Sequence, residues 1–160
     1  EGQWVTVKNG VMIWKVMVQS VLDYATEVFG GFEKWEEAEV VVRKMGKAIL
    51  GVRKSTANEV VMGELGWWRM KGRRDFLRLL YWREMVMKKK GVRWEVYQEG
   101  RRRIGRDEGA WCDDTKKMMK EVGLGEYWEK QDVMEEQYFG RRYRTRRRKY
   151  GEWEWTARVN

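Results

Sequence analysis

Histidine and proline are missing altogether, and cysteine occurs once among 160 residues. Without imidazole the chain lacks both the side chain that titrates near neutral pH and the commonest metal ligand. A single thiol, Cys112, excludes an internal disulfide, and one thiol with no histidine is too few for a zinc site. The same cysteine usage fits a reducing compartment, so the expected location is intracellular, cytoplasmic or nuclear. No folding requirement accounts for the missing proline; a biased nucleotide composition in the coding DNA would. Long apolar runs are missing as well. The longest, residues 11–18, is interrupted by Lys15 and falls short of the roughly 18 residues a membrane span needs. Residues 1–30 show no signal-peptide layout, so a soluble chain with no membrane partner is expected. Strand signals are few: one lies at Trp4 to Val7, and another at Val40 to Val42 falls inside a helical period.

What is present is a globular composition, 42% hydrophobic and 37% charged, rich in Trp, Met, Arg and Gly. The length suits one domain with a real core. The net charge of +9 is unevenly spread. Residues 1–68 hold 8 cations and 9 anions, residues 69–106 hold 14 and 4, residues 107–140 hold 4 and 10, and residues 141–160 hold 8 and 2. A neutral front followed by basic, acidic and basic blocks points to a polyanion partner or to self-association between blocks. The competing reading is a well-solvated Lys/Arg-rich surface.

Glycine supplies the punctuation. Residues 11–29 are apolar nearly all round and stop at Gly30 and Gly31, which predicts a buried helix. Trp35, Ala38, Val42, Met45 and Ile49 recur at spacings of three and four, the core stripe of a helix over 33–50 with Gly51 as its cap. Thr56 followed by Glu59 is a capping-box pattern opening a helix through Leu65. A long helix is predicted over 70–90, with Phe76, Leu77, Leu80, Tyr81, Glu84 and Met87 on one face. Further helices are predicted over 92–101, with Val96 and Tyr97 inward, over 111–122, with Trp111, Thr115, Met118, Met119 and Val122 as stripe, and over 126–139. Residues 105–109 read as a loop. The predicted fold is all-α, an irregular bundle of six or seven helices over residues 1–140. A basic tail, residues 141–160, lacks a sustained stripe and reads as mobile.

Four ordered segments then carry a resemblance. Ile13 and Trp14 with Ser20-Val21-Leu22-Asp23-Tyr24-Ala25-Thr26-Glu27-Val28-Phe29-Gly30 form the first. Trp35-Glu36-Glu37-Ala38-Glu39 with Ile49-Leu50-Gly51-Val52 forms the second. The third is Ser55-Thr56-Ala57-Asn58-Glu59, Gly63-Glu64-Leu65-Gly66-Trp67, Met70, Arg73-Arg74-Asp75 and Leu80-Tyr81-Trp82. The fourth is Ala110-Trp111-Cys112 with Gly123-Leu124 and Trp128. In order and spacing this series resembles the region beyond the polymerase domain of jockey- and CR1-like non-LTR retrotransposon reverse transcriptases. Ser20 stands where that pattern has proline and Ala25 where it has glycine. The resemblance covers about residues 11–130; the arginine-rich tail is outside it. It implies a thumb or post-polymerase connection that helps hold template and primer. RNA or an RNA–DNA hybrid, and an upstream polymerase domain in a longer parent, are the implied partners. The family's catalytic palm with its Tyr-x-Asp-Asp motif and its endonuclease are not in this sequence, so no catalysis and no cofactor are expected.

Residue chemistry points the same way. Lys71, Arg73, Arg74 and Arg78 fall on one predicted helix, and Lys88, Lys89, Lys90, Arg93, Arg101, Arg102 and Arg103 extend the charge. Guanidinium forks suit phosphate oxygens, and many such contacts make binding steeply salt-dependent. Trp67 and Trp68 are candidates for stacking on bases, as is Trp82. Arg141, Arg142 and Arg146 belong to a run with seven cations in residues 141–149, the composition of a nuclear-localisation or nucleic-acid patch. Asp113 and Asp114 invite comparison with a metal-binding carboxylate pair, but they open a helix, where the dipole alone favours acids. No glycine-rich phosphate loop is present. The expected function is therefore a non-catalytic nucleic-acid-binding helical segment. The alternatives are a helical protein-interaction or structural module, or a decayed mobile-element remnant with no selected function.

Overall fold

The computed structural model describes residues 6–24, 26–29, 36–106, 111–133 and 141. Among them the fold is all-α, and the order is α1 (Val7–Ile13), a π-helical segment (Trp14–Gln19), α2 (Ser20–Asp23), α3 (Thr26–Phe29), α4 (Glu36–Leu50), α5 (Asn58–Leu65), α6 (Met70–Lys88), α7 (Val92–Arg102), α8 (Trp111–Glu121) and α9 (Gly125–Lys130). The α1–π–α2 run is one continuous rod, opened by the Thr6 side chain, which accepts from the Asn9 N–H at 3.3 Å. Within it the Ser20 hydroxyl donates to the Val16 carbonyl at 2.6 Å, a local bond that competes with the regular ladder.

Two apolar clusters form the interior. Trp14, Val42, Ile49 and Met70 make the first, flanked by Val11, Val18, Leu22, Met45, Leu65 and Trp67. The second gathers Leu79, Trp82, Met85 and Val86 from α6, Tyr97 from α7, Cys112, Met118 and Met119 from α8, and Val122, Leu124 and Trp128 beyond it. Helix α6 serves both, with Met70 in one and its middle and C-terminal half in the other. Gly51, at φ 66°, caps α4 as expected, and two further glycines end helices in the left-handed region, Gly66 at φ 62° and Gly123 at φ 67°. Each closes a Schellman turn, with Trp67 N–H donating to Met62 O at 2.9 Å and Leu124 N–H to Met119 O. The turn thereby drives the next large side chain back into the cluster its helix packs on.

Several expectations are corrected. The first rod is not buried all round: Gly10 and Trp14 are buried, Val18 and Leu22 half-buried, while Met12, Val16, Met17, Val21 and Tyr24 are exposed. The capping box at Thr56 does not form, for α5 begins at Asn58 behind an Ala57 that makes no side-chain cap bond. On α6 the buried row is Arg74, Arg78, Trp82, Met85 and Val86, whereas Glu84 and Met87 are exposed. The inward phase is set by Trp82, which is fully buried. Val96 lies outward, 66% exposed, beside a buried Tyr97. The last helix ends at Lys130, with Gln131 left-handed at φ 50°; residues 134–139 lie outside the described residues. So do Gly30, Gly31, Trp35 and residues 107–109 of the predicted loop.

Candidate nucleic-acid interface

The arginines of α6 begin the site, because its charge was expected to point outward. A residue four positions before a buried one lies on nearly the same side of an α-helix. Trp82 therefore draws Arg78 and Arg74 inward, and they are only 5% and 8% exposed. Arg78 Nη1 stands 3.8 Å from Asp114 Oδ2 on α8, while its Nη2 has no hydrogen-bond partner among the described residues. Burial lowers the pKa of both guanidiniums. Asp114 and Asp75 oppose that shift at Arg78, and Asp75 and Glu39 oppose it at Arg74. Arg73 faces the first rod: its Nε donates to Asp23 Oδ1 and Oδ2 at 2.7 and 2.8 Å. The Gln19 amide, turned to offer its oxygen, accepts from the same guanidinium at 2.8 Å. Glu39 of α4 accepts from the Met70 N–H, capping α6 from outside. These three arginines are the joints between α6 and its neighbours.

The expectation of an outward cradle at Arg73, Arg74 and Arg78 is thus corrected. Their carboxylate partners, Asp23 and Asp114, lie fifty residues before and thirty-six after in sequence, and type alone does not reveal such pairing. The two stacking candidates are occupied as well. Trp67 lies on Trp14 with ring centroids 4.7 Å apart and planes 23° apart, and Trp68 meets Phe76 edge-on at 5.4 Å. Trp82 is buried, stacked on Trp128 at 6.1 Å, with its Nε1–H donated to Tyr97 Oη at 2.8 Å. Tyr97 Oη in turn donates to Gln131 Oε1 at 2.9 Å, so the aromatic centre of the second cluster is hydrogen-bonded through.

Exposed positive charge remains elsewhere. Lys71, Lys88, Lys89, Lys90, Arg93, Arg102, Arg103 and Arg106 are all exposed. Residues 88–106 carry eight cations against two anions, a net of +6. Lys88 pairs with Glu84 at 2.5 Å, and Arg102 and Arg103 reach Glu99 at 3.2 and 2.9 Å, all on the surface where such pairs yield readily to another anion. Those contacts hold the Glu84 and Glu99 carboxyls below their usual range. Arg93 lies over the Tyr81 ring at 5.7 Å. Arg101 departs from the group: half-buried, it lies 6.0 Å from the Tyr97 ring and 5.9 Å from that of Trp128. Arg106, in the segment read as a loop, was not among the cations singled out in the sequence. Of the tail, Arg141 is exposed, and Arg142 and Arg146 lie outside the described residues.

Asp113 and Asp114 fall in the first turn of α8, as their sequence context predicts. Asp113 Oδ1 accepts from the Gly105 N–H at 3.1 Å and Asp114 faces Arg78, which gives both carboxylates a structural use. No group of three or more metal-ligating side chains occurs among the described residues. None of the described helices is long and apolar enough to cross a membrane. Set beside known families, curated proteins and solved structures, this chain matches no family model, no curated protein and no solved structure.

Proposed function

We propose that the chain holds a nucleic-acid backbone without catalysing a reaction on it, in the manner of the post-polymerase region of the retroelement reverse transcriptases it resembles. RNA or an RNA–DNA hybrid is the partner, and an upstream polymerase domain is the neighbour in a longer parent. One observation carries this reading. Beside the inward arginines, the end of α6, the turn behind it, the first turn of α7 and the end of α7 with the turn that follows present seven exposed cations between Lys88 and Arg106. Polyanion binding of this kind displaces condensed counterions and weakens steeply as salt rises.

The test is a salt titration of binding to an RNA–DNA hybrid. Affinity should fall steeply, and Lys88→Glu/Lys89→Glu/Lys90→Glu should flatten the log–log slope by roughly 2–3. Charge reversal belongs at these positions and not at Arg73, Arg74 or Arg78, where it would disturb the fold. Absence of binding at about 50 mM salt would sink the proposal. A second reading, a module that meets protein, is favoured by the apolar outer face of the first rod.

A further inference from the structure

Along the α1–π–α2 rod, burial repeats every four residues without drifting. Gly10, Trp14, Val18 and Leu22 face the first cluster, with Lys15, Gln19 and Asp23 in the row beside them. Met12, Val16, Ser20 and Tyr24 make an outer row, and Ile13, Met17 and Val21 another. In a regular α-helix, three steps of four residues would turn a row through about 120°. The π segment from Trp14 to Gln19 unwinds the rod and keeps each row nearly parallel to the axis.

From Met12 to Tyr24 the two outer rows contain no charged residue; the exposed Lys8 stands four residues before Met12, at the start of the rod. Of their two hydroxyls, that of Ser20 is already spent on the Val16 carbonyl, and the phenol of Tyr24 stands at the exposed end of its row. Met17 is 67% exposed and Tyr24 84%. The six apolar side chains from Met12 to Tyr24 present on the order of 700 Å², close to the ~800 Å² each partner gives to an ordinary stable interface. A helix with apolar residues on two opposite sides belongs between two packed layers, and among the described residues nothing covers the outer side.

We infer that the occupant is a second copy of this chain, placed face to face across a two-fold axis. An isologous contact sets every patch against itself, which like charges oppose. In a chain of net charge +9, an uncharged face of this area is suited to self-contact. Rows of residues four apart in α-helices are inclined by about 26°, so helices packed on them cross at about 50°. Rows that follow the axis let two rods lie side by side along their whole length, which buries the full face.

Sedimentation velocity over a range of micromolar concentrations tests this on the full chain. The wild type should form a dimer. Met17→Glu, with unchanged circular dichroism, should raise the dissociation constant at least about tenfold, and Lys15→Glu, on the flanking row, should not. Should Met17→Glu fail to fold, Met17→Cys treated with oxidised glutathione decides the matter. It should yield a covalent dimer that the wild type, with Cys112 buried, does not form. A wild type that stays monomeric, including one that partitions onto lipid vesicles instead, overturns the inference. So does a folded Met17→Glu variant that still dimerises, or a Met17→Cys variant that fails to cross-link.

Discussion

Arg78 keeps its charge inside the fold, with a side chain 6% exposed and its nearest carboxylate 3.8 Å off. A guanidinium does not give up its proton in a protein, so the cost of burial is met by Asp114 and by the packing of the arginine stem. Removing one partner of such a pair leaves the other stranded, whereas an apolar side chain of similar volume can be accommodated. Arg78→Ala should therefore cost about 2–4 kcal/mol in urea unfolding, Arg78→Met clearly less, and Lys89→Ala no more than about 0.5 kcal/mol. Equal losses at Arg78 and Lys89 would contradict the inward placement. Cys112 gives a second expectation. Burial, and then Asp113, push its thiol up to about 11. Its folded pKa lies above the unfolded value, so the stabilisation is present below that value and fades as pH rises towards about 11. Near neutral pH a thiol reagent should label Cys112 at the rate of unfolding, and rapid labelling of the native protein would refute its burial.

Helices meet most closely where glycine removes a side chain. A Cβ at Gly46 of α4 would stand 2.8 Å from Val61 Cγ1 of α5, and one at Gly100 of α7 would stand 2.9 Å from Cys112 Sγ of α8. Gly46→Ala should destabilise by about 1–3 kcal/mol through overpacking. For Gly100→Ala a compensating change exists: with Cys112→Ala the loss should be smaller than the sum of the two single losses, as thermal melts of all four proteins would show. At this scale much was legible in the sequence. The stripe of α8, Thr115 with Met118, Met119 and Val122, is the buried face, because small and apolar side chains alone occupy it. The phase of α6 was misread because its inner row mixes Arg74 and Arg78 with Trp82 and Met85, and counting apolar residues then selects a neighbouring row. Two of the carboxylates that permit the mixture, Asp114 beside Arg78 and Glu39 acting on Arg74, come from other helices and leave no local signal. The candidate site suffered from the same cause: Lys71 and the cations in the turn after α6 were read as surface and are exposed, whereas Arg73, Arg74 and Arg78 on its first half face neighbouring helices.

At the scale of the whole molecule, the two clusters share α6 as a common wall. Loss of that wall from either side exposes apolar surface on the other, so thermal unfolding should be one transition. Near-ultraviolet signals from the Trp14–Trp67 and Trp82–Trp128 pairs would then vanish together; separate midpoints would mean that the clusters are independent. The exposed cations sit at the far end of α6 and on α7, beside the second cluster, while the uncharged rows lie on the rod that walls the first. A shared wall has a practical corollary. If the backbone is severed at the exposed Lys90–Gly91 junction, one piece keeps α6 with Trp82 and Met85 bared, and the other keeps Tyr97, Met119 and Trp128 with nothing to close over them. The first piece keeps the first cluster whole, but neither holds the second cluster complete, and each carries the surface that the other lacks there. The chain is thus pre-divided into a complementing pair, whose reassembly on mixing could report when two tethered molecules are brought together.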